Sequence, residues 1–338
     1  MKQIGFFNES NCLNKLSKLG DQLEKLSLVI EWRMFESILK RVFAKEHKGT
    51  GGRPPYNYLL LFKILILQRL FNISDDQAEF QVNDRMSFRR FLGLSLGNQV
   101  PDAKTIWLFR DTLVKAGVMD ELFNCFSRQL EERDIITHSG SIVDASFVEA
   151  PRQRNTRDEN RQIKDGEVPE EWEKPENVHK LRQKDTDARW TKKNDERHYG
   201  YKDHVKVDAE SKLITGYEVT DAAVHDSQAL IELLDEKDKV LYADSAYSGK
   251  PIAEQIPEGI ENQIHEKGYR NRPLNEEQKA ENKRKSRIRV RIEHVFGHIT
   301  GAMHRFTVRS IGIARASFNI GLINLIYNLC RFEILNRK

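Results

Sequence analysis

The sequence predicts an α/β protein, an all-α region followed by a domain built on a mixed β-sheet. Two observations carry that expectation. Apolar residues recur at helical spacing through LEKLSLVIEWRMFESILKRVF and again through Leu59–Phe71, and strand-like runs begin only at Ser139. Beyond Ser139, runs of strand and helix character alternate, and they include both a hairpin and strand–helix–strand spacing. A sheet with antiparallel and parallel members is the economical way to join them.

The elements follow in order. A Gly/Pro/basic break, KGTGGRPP at 48–55, divides the first two helical stretches. Two further helical patterns run over Ser74–Leu92 and Asp102–Lys115, the second capped by Asp102. Four or five short helices with basic residues between them suit a DNA-binding domain containing a helix-turn-helix, and equally any small helical bundle. SIVDASFV reads as the first strand. Residues 150–198 are polar, charge-dense and poor in aliphatics, which predicts a loop or partly disordered insertion. HVKVD and LITGYEV, joined by AESK, predict a hairpin. DSQALIELLDE reads as a helix capped by Asp226, KVLYADSAYSG as a strand and ENQIHEK as a short strand. SRIRVRIEHVFGHITGAM and FNIGLINLIYNLCRFEIL complete the chain as helices.

The composition narrows the class. Charged residues make up 31% and hydrophobic residues 39% of 338, enough for a core beneath a charged surface. Lys and Arg number 55 against 51 Asp and Glu, a net charge of +4 that favours a polyanionic partner only weakly. Cys12, Cys125 and Cys330 lie far apart with no CxxC pair, which argues against a zinc ribbon or a disulfide framework. The longest apolar run, Tyr58–Leu67, is short and interrupted by Lys63. With no apolar segment of signal-peptide length in MKQIGFFNES, a soluble cytoplasmic protein without a membrane partner is expected.

Three carboxylates stand out by position. Asp144 ends the apolar run Ile142-Val143, and Asp244 ends Val240–Ala243; small residues follow each. A charge at the end of a buried strand is costly unless it is paired or bound to a metal. For either aspartate alone, a turn or a helix cap is the plainer reading. Glu293 lies in KRKSRIRVRIEHVFGHI, where Ile288, Ile292, Val295 and Ile299 predict the buried stripe of one helix. Arg289 and Glu293, four apart, share a neighbouring face, as a surface ion pair or as a metal ligand beside a phosphate-holding arginine. Two strand-borne aspartates and a helix-borne glutamate can hold two Mg²⁺ ions, and such a pair serves in-line phosphoryl transfer.

In their contexts IVDASFVEAP, LYADSAYSG and SRIRVRIEHVFG, Asp144, Asp244 and Glu293 resemble the DD(E) triad of insertion-sequence transposases of the IS5 family, within the IS4-like group. The likeness spans nearly the whole chain. GRPPYNYLLLFKILILQRLFNISDDQAEFQVNDRMSFRRFLGL resembles that family's N-terminal domain, and PDAKTIWLFRDTL the segment after it. DARWTKKNDERHYGYKDHVKVD and NLIYNLCRF resemble the stretch before its second strand and its closing helix. The resemblance implies a ribonuclease-H-like catalytic domain, DNA cleavage and joining at terminal inverted repeats, and Mg²⁺ or Mn²⁺ as cofactor. Of the related Y-x2-R-x3-E-x6-K signature, Arg289 and Glu293 are present, while Ser286 and Thr300 stand at the Tyr and Lys positions. The family's synaptic chemistry implies a homodimer or larger assembly acting on double-stranded element ends and target DNA. A nuclease that cuts without joining and a non-catalytic transposase-derived DNA-binding protein are the alternatives.

Local charge points to the same partner. Lys267 to Arg291 holds ten Lys or Arg against three Glu, enough to neutralise several phosphates, or else simply a solvated basic face. Expected DNA contacts are Arg289, Arg287, Arg291, Lys283, Arg284 and Lys285, with Lys104 and Arg110 in the N-terminal half. Trp190 reads as a packing residue that could also stack on an exposed base. The domain expectation is a DNA-binding region over 1–130, a catalytic domain over 139–310, and a C-terminal helix over 311–338 packed on the catalytic domain.

Overall fold

The computed structural model describes residues 8–44, 55–193, 195–303 and 306–337, so most of the Gly/Pro/basic break expected at 48–55 lies outside the described residues. The chain divides into two compact units, Met1–Phe126 with Leu325–Lys338, and Ser127–Asn324.

Eight α-helices precede the first strand among the described residues: α1 (Asn8–Leu19), α2 (Gln22–Val29), α3 (Glu36–Phe43), α4 (Tyr58–Leu70), α5 (Asp75–Asp84), α6 (Met86–Leu92), α7 (Ala103–Ala116) and α8 (Met119–Glu132). This exceeds the four or five expected, because tight breaks interrupt continuous apolar patterns. Arg85, with extended backbone, ends α5 and starts α6, so Ser74–Leu92 is two helices. Ser74 and Asp102 cap α5 and α7 by accepting from Gln77 N and Thr105 N, and each satisfies an amide that the helix leaves unpaired. Helix α4 is apolar on nearly every side and is the central member of its unit, with Phe62, Ile64 and Leu67 fully buried. Lys63 within it donates to Phe91 O at 3.1 Å and lies over the Trp32 and Phe91 rings. Burial lowers its pKa to about 8.

The second unit carries a six-stranded sheet: β1 (Ser141–Glu149), β2 (Arg189–Lys193), β3 (Glu196–Asp208), β4 (Ile214–Asp221), β5 (Val240–Tyr242) and β6 (Glu261–Asn262). The order is β2–β3–β1–β5–β6, and β4 also pairs with β3. Strands β1, β3 and β4 are antiparallel in turn, while β5 runs parallel to β1 and β6 parallel to β5. A three-stranded antiparallel meander continued by parallel strands is the ribonuclease-H-like arrangement. Gly200 makes the junction of β1, β2 and β3 possible: its φ is +146°, and a Cβ there would collide with the Val148 carbonyl.

The polar insertion is folded, contrary to expectation. It contains the short helices α9 (Arg157–Lys164), α10 (Glu170–Glu173) and α11 (Val178–Leu181). Its organising residue is Trp172, fully buried, whose Nε1 donates to Glu159 Oε1 at 2.6 Å. Glu159 closes a capping box with Thr156 and accepts from Lys180 at 3.0 Å. Burial acts to raise its pKa, but these donors outweigh it and hold Glu159 at about 2. One aromatic anchor and one multiply bonded carboxylate thus replace an aliphatic core.

Two short helices, α12 (Leu230–Leu233) and α13 (Lys250–Ala253), lie between the last strands, and α14 (Glu276–Arg289), α15 (Arg291–Gly301) and α16 (Ile313–Leu335) follow them. The DSQALIELLDE helix is shorter than expected. His225, rather than Asp226, supplies the capping side chain, to the 3-10 turn Asp226–Gln228 that precedes α12. Helix α16 is divided between the units: up to Asn324 it belongs to the second, and from Leu325 onward to that of the N-terminal helices. Among the described residues, no helix is long and apolar enough to cross a membrane.

Candidate active site

Sheet register brings the two aspartates together. Ser141 pairs with Leu241 and Ile142 with Tyr242 in the parallel β1/β5 ladder. Asp144 and Asp244 each lie two residues beyond the last pair, so equal advance along the chain carries both to the same end of the sheet. Asp144 remains inside β1, and its Oδ1 accepts from Ala145 N at 2.9 Å. Asp244 leaves β5 and caps the following 3-10 turn Ser245–Tyr247, accepting from Ala246 N at 2.7 Å. Burial pushes the Asp144 pKa above its ordinary value, the Asp244 charge adds to that rise, and the Ala145 amide and Arg289 guanidinium oppose it.

The helical side of the site differs from its expected form. The single helix expected across SRIRVRIEHVFG is two, α14 and α15, interrupted at Val290. Ile292, Val295 and Ile299 are fully buried as expected and anchor α15, whereas Ile288 is only half-buried. Arg289, the last residue of α14, donates from Nη1 to Asp144 Oδ2 at 3.1 Å. Its Nη2 is 3.9 Å from Glu293 Oε1, and Glu293 itself is exposed. Arg289 therefore bridges the sheet-borne and helix-borne carboxylates, beyond the surface pair that spacing alone suggests.

Among the described residues, no group of three or more His, Cys, Asp or Glu side chains is placed to hold a metal ion. Arg289 thus links Asp144 to Glu293, Asp244 lies at the same sheet end as Asp144, and the three carboxylates do not form a closed ligand set. Their chemistry nonetheless fits a hard divalent cation: all donors are oxygen, and the two aspartates repel one another in a partly desolvated site. Arg289 now supplies the positive charge that such a cation would bring.

The expected DNA contacts fall into distinct groups. Lys283 and Arg287 on α14 and Lys104 on α7 are exposed. Arg284 is exposed too, but forks onto Glu281 one turn away. Arg291 donates to Ala209 O at 2.6 Å. Two others have partners within the protein. Lys285 is buried and donates to Ile264 O at 3.2 Å, so it serves the interior of its unit. Arg110 is committed to Asp75 through both terminal nitrogens, at 2.8 and 2.7 Å, and holds α7 to α5. Trp190 is half open, packs at 5.0 Å against Tyr199, and has Arg152 over its ring.

Two residues beside the carboxylates escape sequence reasoning. His265 continues the β5/β6 ladder by donating its amide to Ala243 O, and its Nε2 lies 3.4 Å from Ser286 Oγ. Burial lowers its pKa, with Arg289 and Lys285 acting in the same sense. Tyr247, buried, closes the turn that Asp244 caps. The available signal for Tyr247 was its spacing of three from Asp244, the length of one 3-10 turn. Both line a cavity of about 570 Å³, together with Lys250, Tyr269, Arg272 and Lys285.

Comparison with known families agrees with this geometry. Residues 136–329 match the family described as Transposase DDE domain, and residues 11–112 match Transposase domain (DUF772). The first match alone spans more than half of the chain, which defines a DDE transposase, an enzyme acting on DNA with divalent-metal dependence. The chain belongs to the Transposase DDE domain family and is an insertion-sequence transposase; the narrower IS5 likeness rests on the motifs above. Among solved structures, the cryo-EM structure of a piggyBac transposase synaptic complex with hairpin DNA is similar over 98% of this chain and 76% of that one. The identity is 13% and the TM-score 0.42.

Proposed function

We propose that this transposase binds the terminal inverted repeats of its own element, hydrolyses the phosphodiester at each end, and joins the released 3′-OH to target DNA. The observation that carries the reading is the parallel register that places Asp144 and Asp244 at one sheet end, with Arg289 reaching from α14 to Asp144. Asp144 and Asp244 would hold Mg²⁺ or Mn²⁺, two ions per site, with Glu293 at the start of α15 as the third ligand. Bound there, the ions supply positive charge to the attacking and leaving oxygens. Arg289 exchanges its carboxylate contact for a DNA phosphate, which the fork of a guanidinium suits better than an ammonium. Lys283 and Arg287, exposed on the same helix, extend the phosphate-binding face. The helices of the N-terminal unit recognise the element ends, and a homodimer or larger assembly brings two ends together.

The test uses Asp144→Asn, Asp244→Asn and Glu293→Gln, each removing one charge with little change of shape. Each variant is expected to bind element ends in a gel shift and to lose about a thousandfold or more in Mg²⁺-dependent cleavage. A variant that folds, binds and cleaves near the wild-type rate removes its residue from the site. Cleavage by the wild type without joining of the 3′ ends to target DNA would reduce the protein to a nuclease.

A further inference from the structure

The cavity of about 570 Å³ beside the carboxylates is lined by four cations, Lys250, Lys267, Arg272 and Lys285, against one carboxylate, Glu266. Lys250, Lys267 and Arg272 are exposed, whereas Lys285 is 8% exposed. The Lys285 ammonium donates to Ile264 O at 3.2 Å, and among the described residues no carboxylate pairs with any of the four cations. A lysine is rarely buried without a counter-ion, because its charge gives up water and gains little in return. Lys285 turns away from the exposed basic residues of α14, and that inward turn brings its charge to this cavity.

The cavity is built in advance of any ligand. Tyr269 and Arg272 close a tight turn on its wall, each amide donating to the other's carbonyl at 3.0 Å. Glu266 ties that segment to α14: its N donates to Asn282 Oδ1 and its O accepts from Asn282 Nδ2, both at 3.0 Å. The Glu266 carboxylate is itself taken up by Gln278 Nε2. Tyr269 is 62% exposed, so its ring is available to a ligand. The cavity also adjoins the carboxylate site. His265 lines it and donates its amide to Ala243 O, beside Asp244. Lys285 and Arg289 lie four apart on α14, on one face and about 6 Å apart along the axis. A strand with one phosphate at Arg289 can therefore bring a neighbouring phosphate to Lys285.

We infer that this cavity is a subsite for one nucleotide of single-stranded DNA, with its phosphate on Lys285 and Arg272 and its base on the Tyr269 ring. The inference rests on the DNA strand passing Arg289 as proposed above, and it adds a second point of hold. A lone anion would leave most of the cavity empty, whereas sites of roughly 300–1,000 Å³ take small organic groups. A duplex keeps its bases stacked inside and its backbone outside. A phosphate that reaches buried Lys285 must enter the cavity, which an unpaired strand can do. Cations that track the backbone beside an aromatic ring that stacks a base are the usual means of holding single strands. The subsite holds the strand beside the carboxylates once pairing is lost at a cut.

The experiment follows the anisotropy of a fluorescent element-end duplex, blunt or with a short oligothymidine tail, bound to the full-length protein in EDTA so that no cleavage occurs. The wild type is expected to bind the tailed duplex about tenfold more tightly than the blunt one, the effect of one stacked base. Tyr269→Ala should lose that advantage while keeping its affinity for the blunt duplex. Lys285→Met should lose it too, with the salt dependence of tail binding reduced by about 0.7 in logarithmic slope, one single-strand phosphate contact. Thermal unfolding shows whether Lys285→Met folds, and Arg272→Ala, at an exposed position, tests the same phosphate contact independently. An iodouracil in the tail should crosslink to Tyr269. No tail advantage in the wild type, or an unchanged one in Tyr269→Ala and Arg272→Ala, would overturn the inference. Displacement of the tail by an equal concentration of thymidine monophosphate would overturn it as well, because the cavity would then serve a free nucleotide. Mg²⁺-dependent cleavage by Asp144→Asn is measured in parallel. A wild-type rate there would overturn the carboxylate site, whereas the tail advantage, read without metal, decides the cavity by itself.

Discussion

The two sides of the candidate site are built to different tolerances. The sheet side, Asp144 and Asp244, is fixed by ladder register, backed by the buried residues Val143, Leu241 and Ala243, and tied down by local amides. The helix side, Arg289 and Glu293, straddles a break at Val290, an exposed residue, and its glutamate faces solvent. A rigid pair of carboxylates set against an adjustable arginine and glutamate is what a site needs if DNA and metal must both enter before it closes. Precision resides in the sheet, and adjustment resides in the helix junction.

Side-chain length tests that contrast. Asp144→Glu adds one methylene where the backbone cannot yield, and misplacing a catalytic oxygen by about 1 Å costs on the order of a hundredfold in rate. Glu293→Asp withdraws one methylene where the helix start can move, so a smaller loss, roughly tenfold, is expected on the same scale. Both are read as Mg²⁺-dependent cleavage rates of an element-end duplex. Equal losses from the two substitutions would remove the distinction between a fixed and an adjustable side.

A third aspartate sharpens the comparison within the sheet. Asp203 pairs across the ladder with Ser146, so it shares a face with Asp144. Asp144 has Arg289; Asp203, wholly buried, accepts from the Asn324 amide at 3.1 Å and has no cationic partner among the described residues. Burial pushes its pKa up to about 8, with the Asn324 contact opposing. Folded Asp203 therefore keeps a proton that the unfolded chain releases from about pH 4 upward. Stability should fall as pH rises from 4 towards 8, by at most about 1.4 kcal/mol per unit, and then level off. Asp203→Asn should remove this dependence and raise the melting temperature at pH 8. Parallel melting curves against pH for wild type and variant would show that Asp203 is ionised in the fold.

Legibility in the sequence followed the same division. Asp144 and Asp244 were visible because a charge after an apolar strand is costly, and both lie within residues 136–329, which match the Transposase DDE domain family. The caps at Ser74 and Asp102 left local signatures in residue type. The break at Val290 left none: β-branched residues occur on either side of it, and the turn is set by what α14 and α15 pack against. The insertion was misjudged because its core is Trp172 with Glu159 beneath it, which an aliphatic count does not register. Lys285 and Arg110 looked like phosphate contacts because residue type does not reveal that the first turns inward and the second pairs with Asp75. Tyr247 was passed over because a lone tyrosine after a strand reads as packing until the cavity it lines is seen.

The central claim is that Asp144, Asp244 and Glu293 converge on divalent metal when DNA is present. Anomalous diffraction from crystals of the full chain with an element-end duplex and Mn²⁺ tests it most directly. The account predicts Mn²⁺ peaks bound by Asp144 and Asp244, with Glu293 drawn in from solvent and Arg289 moved from Asp144 onto a DNA phosphate. Mn²⁺ bound elsewhere, or Arg289 still on Asp144 with a DNA end in place, would contradict it.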